Sequence, residues 1–113
     1  MEPNETEHGK DSGLRRLAGL DRIIHEPGRL MLMAMLSQMD SADFLFLMAQ
    51  TGLSWGNLSS HMGRLEAAGY IRVEKDYVQN KPHTVLQLTA SGRAAFRSYR
   101  QALRHLLDGL PED

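Results

Sequence analysis

The 113-residue sequence predicts a mainly α fold carrying one small β-hairpin, an α+β arrangement. Three observations carry this expectation. The run from Asp43 to Gln50 is apolar at helical spacing and breaks at Thr51-Gly52-Leu53, where glycine supplies the permissive backbone of a tight inter-helix turn. Ser54 follows, placed to cap a second helix by accepting from its free N–H groups. Beyond Ala67-Ala68-Gly69 the period changes from 3.6 to 2. Ile71 and Val73 alternate with charged residues, and Thr84, Leu86 and Leu88 alternate with Val85 and Gln87.

Taken in order, residues 1–13 hold Glu2, Glu5, Glu7, Pro3, Gly9 and Gly13 with no apolar period, and read as a disordered acidic tail. Residues 14–110 read as a single domain. Leu14, Leu17, Leu20, Ile23 and Ile24 make an apolar stripe interrupted by Gly19, and a first core helix is expected after Ile24–Leu30. In the second helix of the central pair, Leu58, Met62 and Leu65 share one face at about 100° per residue. Asn57, Ser60, His61 and Arg64 share another. The hairpin is expected as strands Tyr70–Lys75 and His83–Leu88 around a protruding tip, Asp76–Pro82, in which Asn80-Lys81-Pro82 bars further pairing. Thr89 is placed to cap a last helix, whose apolar stripe is Ala95, Tyr99, Ala102, Leu103, Leu106 and Leu110.

The polar stripe of the second helix holds groups that bond to base edges or phosphates, and its acidic neighbour Glu66 points about half a turn away. Arg72, Lys75, Lys81 and His83 put donors on the hairpin, diluted by Glu74 and Asp76. The formal net charge is −1, but between Thr51 and Arg93 five Lys or Arg stand against three acids, so the polar face has a small positive excess. The chain has no cysteine, which excludes disulfides, thiolate metal sites and thiol redox sensing. Met31, Met33, Met35, Met39 and Met48 read as fillers of irregular apolar gaps, because no other soft ligand accompanies them. The five histidines lack zinc-ligand spacing, so no metal and no cofactor is expected. Ser59-Ser60-His61 sits on a helix with its side chains diverging, and the sequence shows no nucleophile elbow, phosphate loop or HExxH helix. No catalytic residues are assigned. No run approaches the length of a membrane span, and the polar, acidic start is unlike a signal peptide, which points to a cytoplasmic protein with no membrane partner.

From about Leu20 to Leu107 the chain resembles the winged helix-turn-helix transcriptional regulators related to the multiple-antibiotic-resistance (MarR) and arsenic-resistance (ArsR) repressors. The residues carrying the resemblance are Ile24-His-Glu-Pro-Gly-Arg-Leu30, Thr51-Gly-Leu-Ser54, Asn57-Leu-Ser-Ser-His61, Leu65-Glu-Ala-Ala-Gly-Tyr-Ile71 and Leu88-Thr-Ala-Ser-Gly-Arg93. Two positions depart from the pattern: Trp55, where relatives carry a small or polar residue, and Asn80, where they often carry glycine. Asn tolerates left-handed backbone, so the turn can persist. The resemblance implies a homodimer that binds double-stranded DNA as a repressor, through Ser54, Trp55, Asn57, Ser60, His61, Arg64, Lys75, Lys81 and His83. It implies dimerisation through the terminal helices, here Leu14, Leu17, Tyr99, Leu103, Leu106 and Leu110; the sequence does not say what switches the protein, a small apolar effector between the reading unit and those helices being conceivable, as is no effector. The competing reading is a winged-helix protein-interaction module, favoured only by Trp55, since such a face carries apolar anchors.

Overall fold

The computed structural model of the protein describes residues 19–112. The expected tail, with Leu14 and Leu17, lies outside them. The elements run α1 (Pro27–Leu36), β1 (Ala42–Asp43), α2 (Phe44–Thr51), α3 (Trp55–Ala67), β2 (Ile71–Val78), β3 (Lys81–Leu88) and α4 (Ala90–Asp108). The sheet is antiparallel with strand order β1-β3-β2. This is the winged-helix form of the expected α+β fold.

Local chemistry starts and stops each helix. Pro27 opens α1, where its missing N–H costs nothing, and the Glu26 carboxylate accepts from Arg29 N at 2.8 Å. The expected lead-in Ile24–Leu30 therefore already contains the first turn of the helix. Asp43 accepts from Phe46 N at 2.7 Å to cap α2, and Gly52 closes that helix at φ 75°, a left-handed value that suits glycine. Ser54 Oγ accepts from Asn57 N at 3.1 Å, and Thr89 Oγ1 accepts from Gly92 N at 2.9 Å, as the sequence predicts. The Thr89 hydroxyl also donates to the Gly69 carbonyl at 2.7 Å, joining the start of α4 to the turn that ends α3.

The hairpin is longer than expected. Pairing continues from Ile71↔Leu88 out to Val78↔Lys81, across a two-residue turn at Gln79 (φ 53°) and Asn80 (φ 65°). Pro82 does not stop it, because the pair closing a two-residue turn exchanges hydrogen bonds and the next pair, Tyr77↔Pro82, needs none between its members. On its other side β3 meets β1 only at Val85 and Leu86, so Pro82 occupies an open edge. β1 itself, two residues long, has no counterpart in the sequence reading.

One core joins these elements: Ile24, Leu32, Met33, Leu36, Leu47, Leu58, Leu65 and Leu86 are fully buried, flanked by Phe44, Ile71, Leu88 and Phe96. Removing each from water is worth about 1.5–3 kcal/mol. Met33 is among them, and Met35, Met39 and Met48 pack against them, as gap-fillers do. The C-terminal stripe divides differently from expectation. Tyr99 joins the core and Leu103 is half-buried against it, because α4 turns that face onto its own domain, and Leu106 is buried as well. Leu110 stays exposed, as does Leu107.

Candidate nucleic-acid interface

α3 rests on the core through Leu58, Met62 and Leu65, none more than 9 % exposed. At about 100° per residue the direction opposite this anchor is occupied by Gly56, Ser60 and Gly63, with Asn57 and Arg64 on one flank and Ser59 on the other. All six are exposed, and a Cβ at Gly56 or Gly63 would meet nothing within 4 Å. A helix face with small residues at its centre and donors at its edge can press its backbone into a groove while Asn57 and Arg64 reach base edges. Glu66 is the only carboxylate on α3.

His61 does not share that free face, contrary to the sequence reading. Arg29 Nη1 lies 3.1 Å from His61 Nδ1, and since a guanidinium only donates, this nitrogen is the acceptor. Arg29 is itself buried and donates through Nε to the Ile23 carbonyl at 2.6 Å. Glu26 Oε1 stands 3.7 Å from the same histidine nitrogen. Burial opposes ionisation of Glu26, but the Arg29 N–H bond and the adjoining His61 and Arg29 groups outweigh it and hold the carboxyl below its ordinary range. The ring fits because residue 28 is glycine: a Cβ there would stand 2.5 Å from His61 Nε2. His61 thus fixes α3 to the start of α1.

Trp55, in the first turn of α3, both packs and projects. Its ring lies 4.6 Å from that of buried Phe44, inclined at 54°, yet 62 % of the residue is exposed. Between Trp55 and the hairpin opens a cleft of about 400 Å³, lined among others by Met62, Lys75, Pro82 and His83. Lys75 and Lys81 are exposed along the hairpin. His83 is drawn toward carboxylates instead: Nδ1 is 3.0 Å from Asp76 Oδ1 and Nε2 is 3.6 Å from Asp43 Oδ2. It ties the wing to the cap of α2. Arg93 reaches neither an acid nor the reading face; its Nη1 donates to the Ser37 carbonyl at 3.4 Å.

Behind the reading unit, sequence reasoning missed two partly buried polar links. The Tyr70 hydroxyl donates to Asp21 Oδ2 at 2.5 Å, and this bond, with burial and the negative charge of Asp21, pushes the phenol up to about 12. His25 Nδ1 and the Tyr99 hydroxyl are 2.7 Å apart, and burial pushes the Tyr99 phenol upward too. Both partners of each pair are far apart in sequence, so no local pattern announces them. Gly19, Leu20, Asp21, Tyr70, Tyr99 and Ala102 line a cavity of about 430 Å³ between this unit and α4.

Residues 29–107 match the family described as winged helix DNA-binding domain. An uncharacterized protein of Methanocaldococcus jannaschii is 28% identical over 78 residues, covering 69% of this chain and 85% of that one. A transcriptional regulator homologue from Pyrococcus horikoshii OT3 superposes with a TM-score of 0.80 at 28% identity, covering 89% of this chain and 99% of that one. A MarR-family regulator from Silicibacter pomeroyi superposes at 0.62 with 23% identity, over 93% and 68% of the two chains, and so shares the fold. The resemblance read from the sequence is borne out.

Proposed function

Because the chain belongs to the winged helix DNA-binding domain family, we propose that this DNA-binding regulator is a cytoplasmic, sequence-specific repressor that acts as a homodimer. The observation supporting it most is the exposed face of α3, with Gly56, Ser60 and Gly63 at its centre and Asn57 and Arg64 at its edge. No apolar anchor other than Trp55 interrupts that face, which disfavours a protein-docking role. Asn57 and Arg64 read bases, the Ser54 and Trp55 start of α3 meets the groove wall, and Lys75 and Lys81 hold phosphates beside it. His61 and His83 act indirectly, by fixing the helix and the wing.

A two-fold dimer sets two such helices about one DNA turn apart, and exposed Leu107 and Leu110 supply apolar surface for it at the end of α4. The cavity beside Tyr70 and Tyr99 gives a small effector a place between the reading unit and the terminal helix. Selection of duplexes from a random library tests the reading. The expected product is an inverted repeat with half-sites about one turn apart, lost in an Asn57→Ala, Arg64→Ala variant. A library that stays random at low salt would dismiss it, and a monomer by sedimentation, with and without DNA, would dismiss the dimer.

A further inference from the structure

The outer face of α4 carries charge that the DNA-reading proposal leaves unused. Arg93, Arg97, Arg100 and Arg104 recur at spacings of four, three and four, so they lie within about 60° of one another around the helix and span about 16 Å of its axis. All four are exposed. Arg97, Arg100 and Arg104 frame a shallow cleft of about 140 Å³, with Gln101 as the only other lining residue. Arg100 lies over the Phe96 ring, 5.9 Å from its centroid, which steadies the middle of the row. Among the described residues no carboxylate pairs with any of the four, and the only acid on α4, Asp108, stands one turn beyond Arg104.

Folding does not call for this arrangement. Arg93 with Arg97, Arg97 with Arg100 and Arg100 with Arg104 are like-charge pairs at helical spacings of three or four, and each opposes the helix. Arg93 also ends the first turn, near the positive end of the helix dipole. An anion laid along the row removes both penalties. The face itself narrows the class of that anion. Between Arg93 and Arg104 no large apolar residue is exposed, and Leu107 is the first beyond them, so a protein partner finds no anchor along the row. The apolar face of α4 is turned into the core through Phe96 and Tyr99, which closes it to a lipid surface. A phosphate backbone needs neither kind of apolar contact. A duplex carries one charge about every 1.7 Å and is gripped by cations alone. Guanidinium groups suit it, because their planar fork can meet two phosphate oxygens at once.

We infer that the arginine row of α4 is a second nucleic-acid contact, which takes the phosphate backbone of duplex DNA irrespective of sequence. The inference goes beyond the DNA-reading proposal and stands even if α3 meets a different partner. Phosphates recur along every duplex, so the row strengthens all complexes alike and leaves the choice of sequence to contacts with base edges.

Binding of the full chain to a mixed-sequence duplex, titrated at several salt concentrations, tests it. The triple variant Arg97→Gln, Arg100→Gln, Arg104→Gln should bind about tenfold more weakly at low salt, and its slope of log affinity against log salt should be smaller by about two to three. Each single substitution should lower the slope by about one, and the triple variant Arg97→Lys, Arg100→Lys, Arg104→Lys should keep most of it, since the charge remains. The urea midpoint of the glutamine variant should be no lower than that of the native chain, because the like-charge pairs are gone. A polyglutamate peptide, whose charges are spaced about twice as widely as those of a duplex, should bind the native chain about tenfold more weakly than the duplex does. An unchanged slope in the glutamine variants would overturn the inference. So would polyglutamate binding as tight as duplex binding, which would make the row a site for an acidic protein segment. An Asn57→Ala, Arg64→Ala chain should keep the share of the slope that the three arginines supply. A selection that stays random beside an arginine-dependent slope would therefore dismiss the reading assigned to α3 and leave the row standing.

Discussion

The helix α3 and the wing, to which the proposed function assigns the same DNA, are held in opposite ways. α3 is fixed along its length: Ser54 caps it, Leu58, Met62 and Leu65 bury its inner face, and His61 locks over Gly28 against Arg29 and Glu26. The wing is fixed only at its base, by Ile71, Leu86 and Leu88 in the core and by His83 between Asp43 and Asp76. From Glu74 to Pro82 every residue is exposed. The difference suits what the proposed function asks of each. Base edges offer donors and acceptors at set positions, so their reader needs a rigid seat, whereas phosphates recur along any duplex and tolerate a compliant arm.

The largest effect should come from that seat. Leu58→Ala removes a fully buried side chain and should cost about 2–5 kcal/mol of unfolding free energy in urea. Tyr77→Ala, on the exposed wing, should change it by less than about 0.5 kcal/mol. Equal costs for the two would mean that the wing is built into the cooperative core and the contrast is false.

Binding should divide along the same line. Arg64→Ala is expected to weaken binding to the selected duplex by about 1–3 kcal/mol and relax preference at one position, as for a base contact. Lys81→Ala should weaken all sequences alike and lower the salt slope by about one, as for a phosphate contact. Titrations at several salt concentrations separate the two, and an Arg64 variant that binds every sequence equally less would move that residue to the backbone.

The two regions were also unequally legible in the sequence. Ser54, Thr89, Gly52 and Gly69 announce helix ends because a cap is made within three or four residues of its helix. The buried faces of α3 and of the hairpin base follow from periodicity for the same reason. His61 was misplaced because its direction depends on Gly28 and Arg29, more than thirty residues earlier, and a helical wheel cannot distinguish a free flank from one that meets a neighbouring helix. Pro82 was taken as a terminator, since its tolerance depends on hydrogen-bond alternation counted from a turn whose position the sequence left open. Tyr99 was assigned to a partner, though it packs in this chain's own core, because an apolar stripe states that it will be covered and not by what.

A smaller effect probes the support behind the seat. Tyr70→Phe removes the bond to Asp21 and should cost about 1 kcal/mol at neutral pH. The alkaline limb gives a sharper signature. Because the folded-state phenol is raised from 10 to about 12, its contribution is complete below pH 10 and is lost as pH rises through about 12. Unfolding free energy of the native chain should therefore fall across that window, and the Tyr70→Phe chain should lack that component. Parallel curves for the two would show that the Asp21 link does not survive in solution.

The smallest expected change carries the most specific information about the reading face. Gly63 lies in the interior of α3 with helical backbone, open space where a Cβ would stand, and no positive φ to require glycine. Glycine there costs the helix about 0.5–1 kcal/mol relative to alanine, and the fold receives nothing in return. Gly63→Ala should thus raise unfolding free energy by about that amount. If α3 enters a groove by its Gly56-Ser60-Gly63 face, the added methyl stands between helix and DNA, and affinity for the selected duplex should fall while stability rises. A variant that is both more stable and equally tight would place the DNA on another face of α3. Gly28→Ala is the complementary case, because its methyl meets His61 instead of a ligand. It should lose stability and binding together by disturbing the seat, so opposite signs at residue 63 and like signs at residue 28 would separate the surface that reads from the contact that holds it.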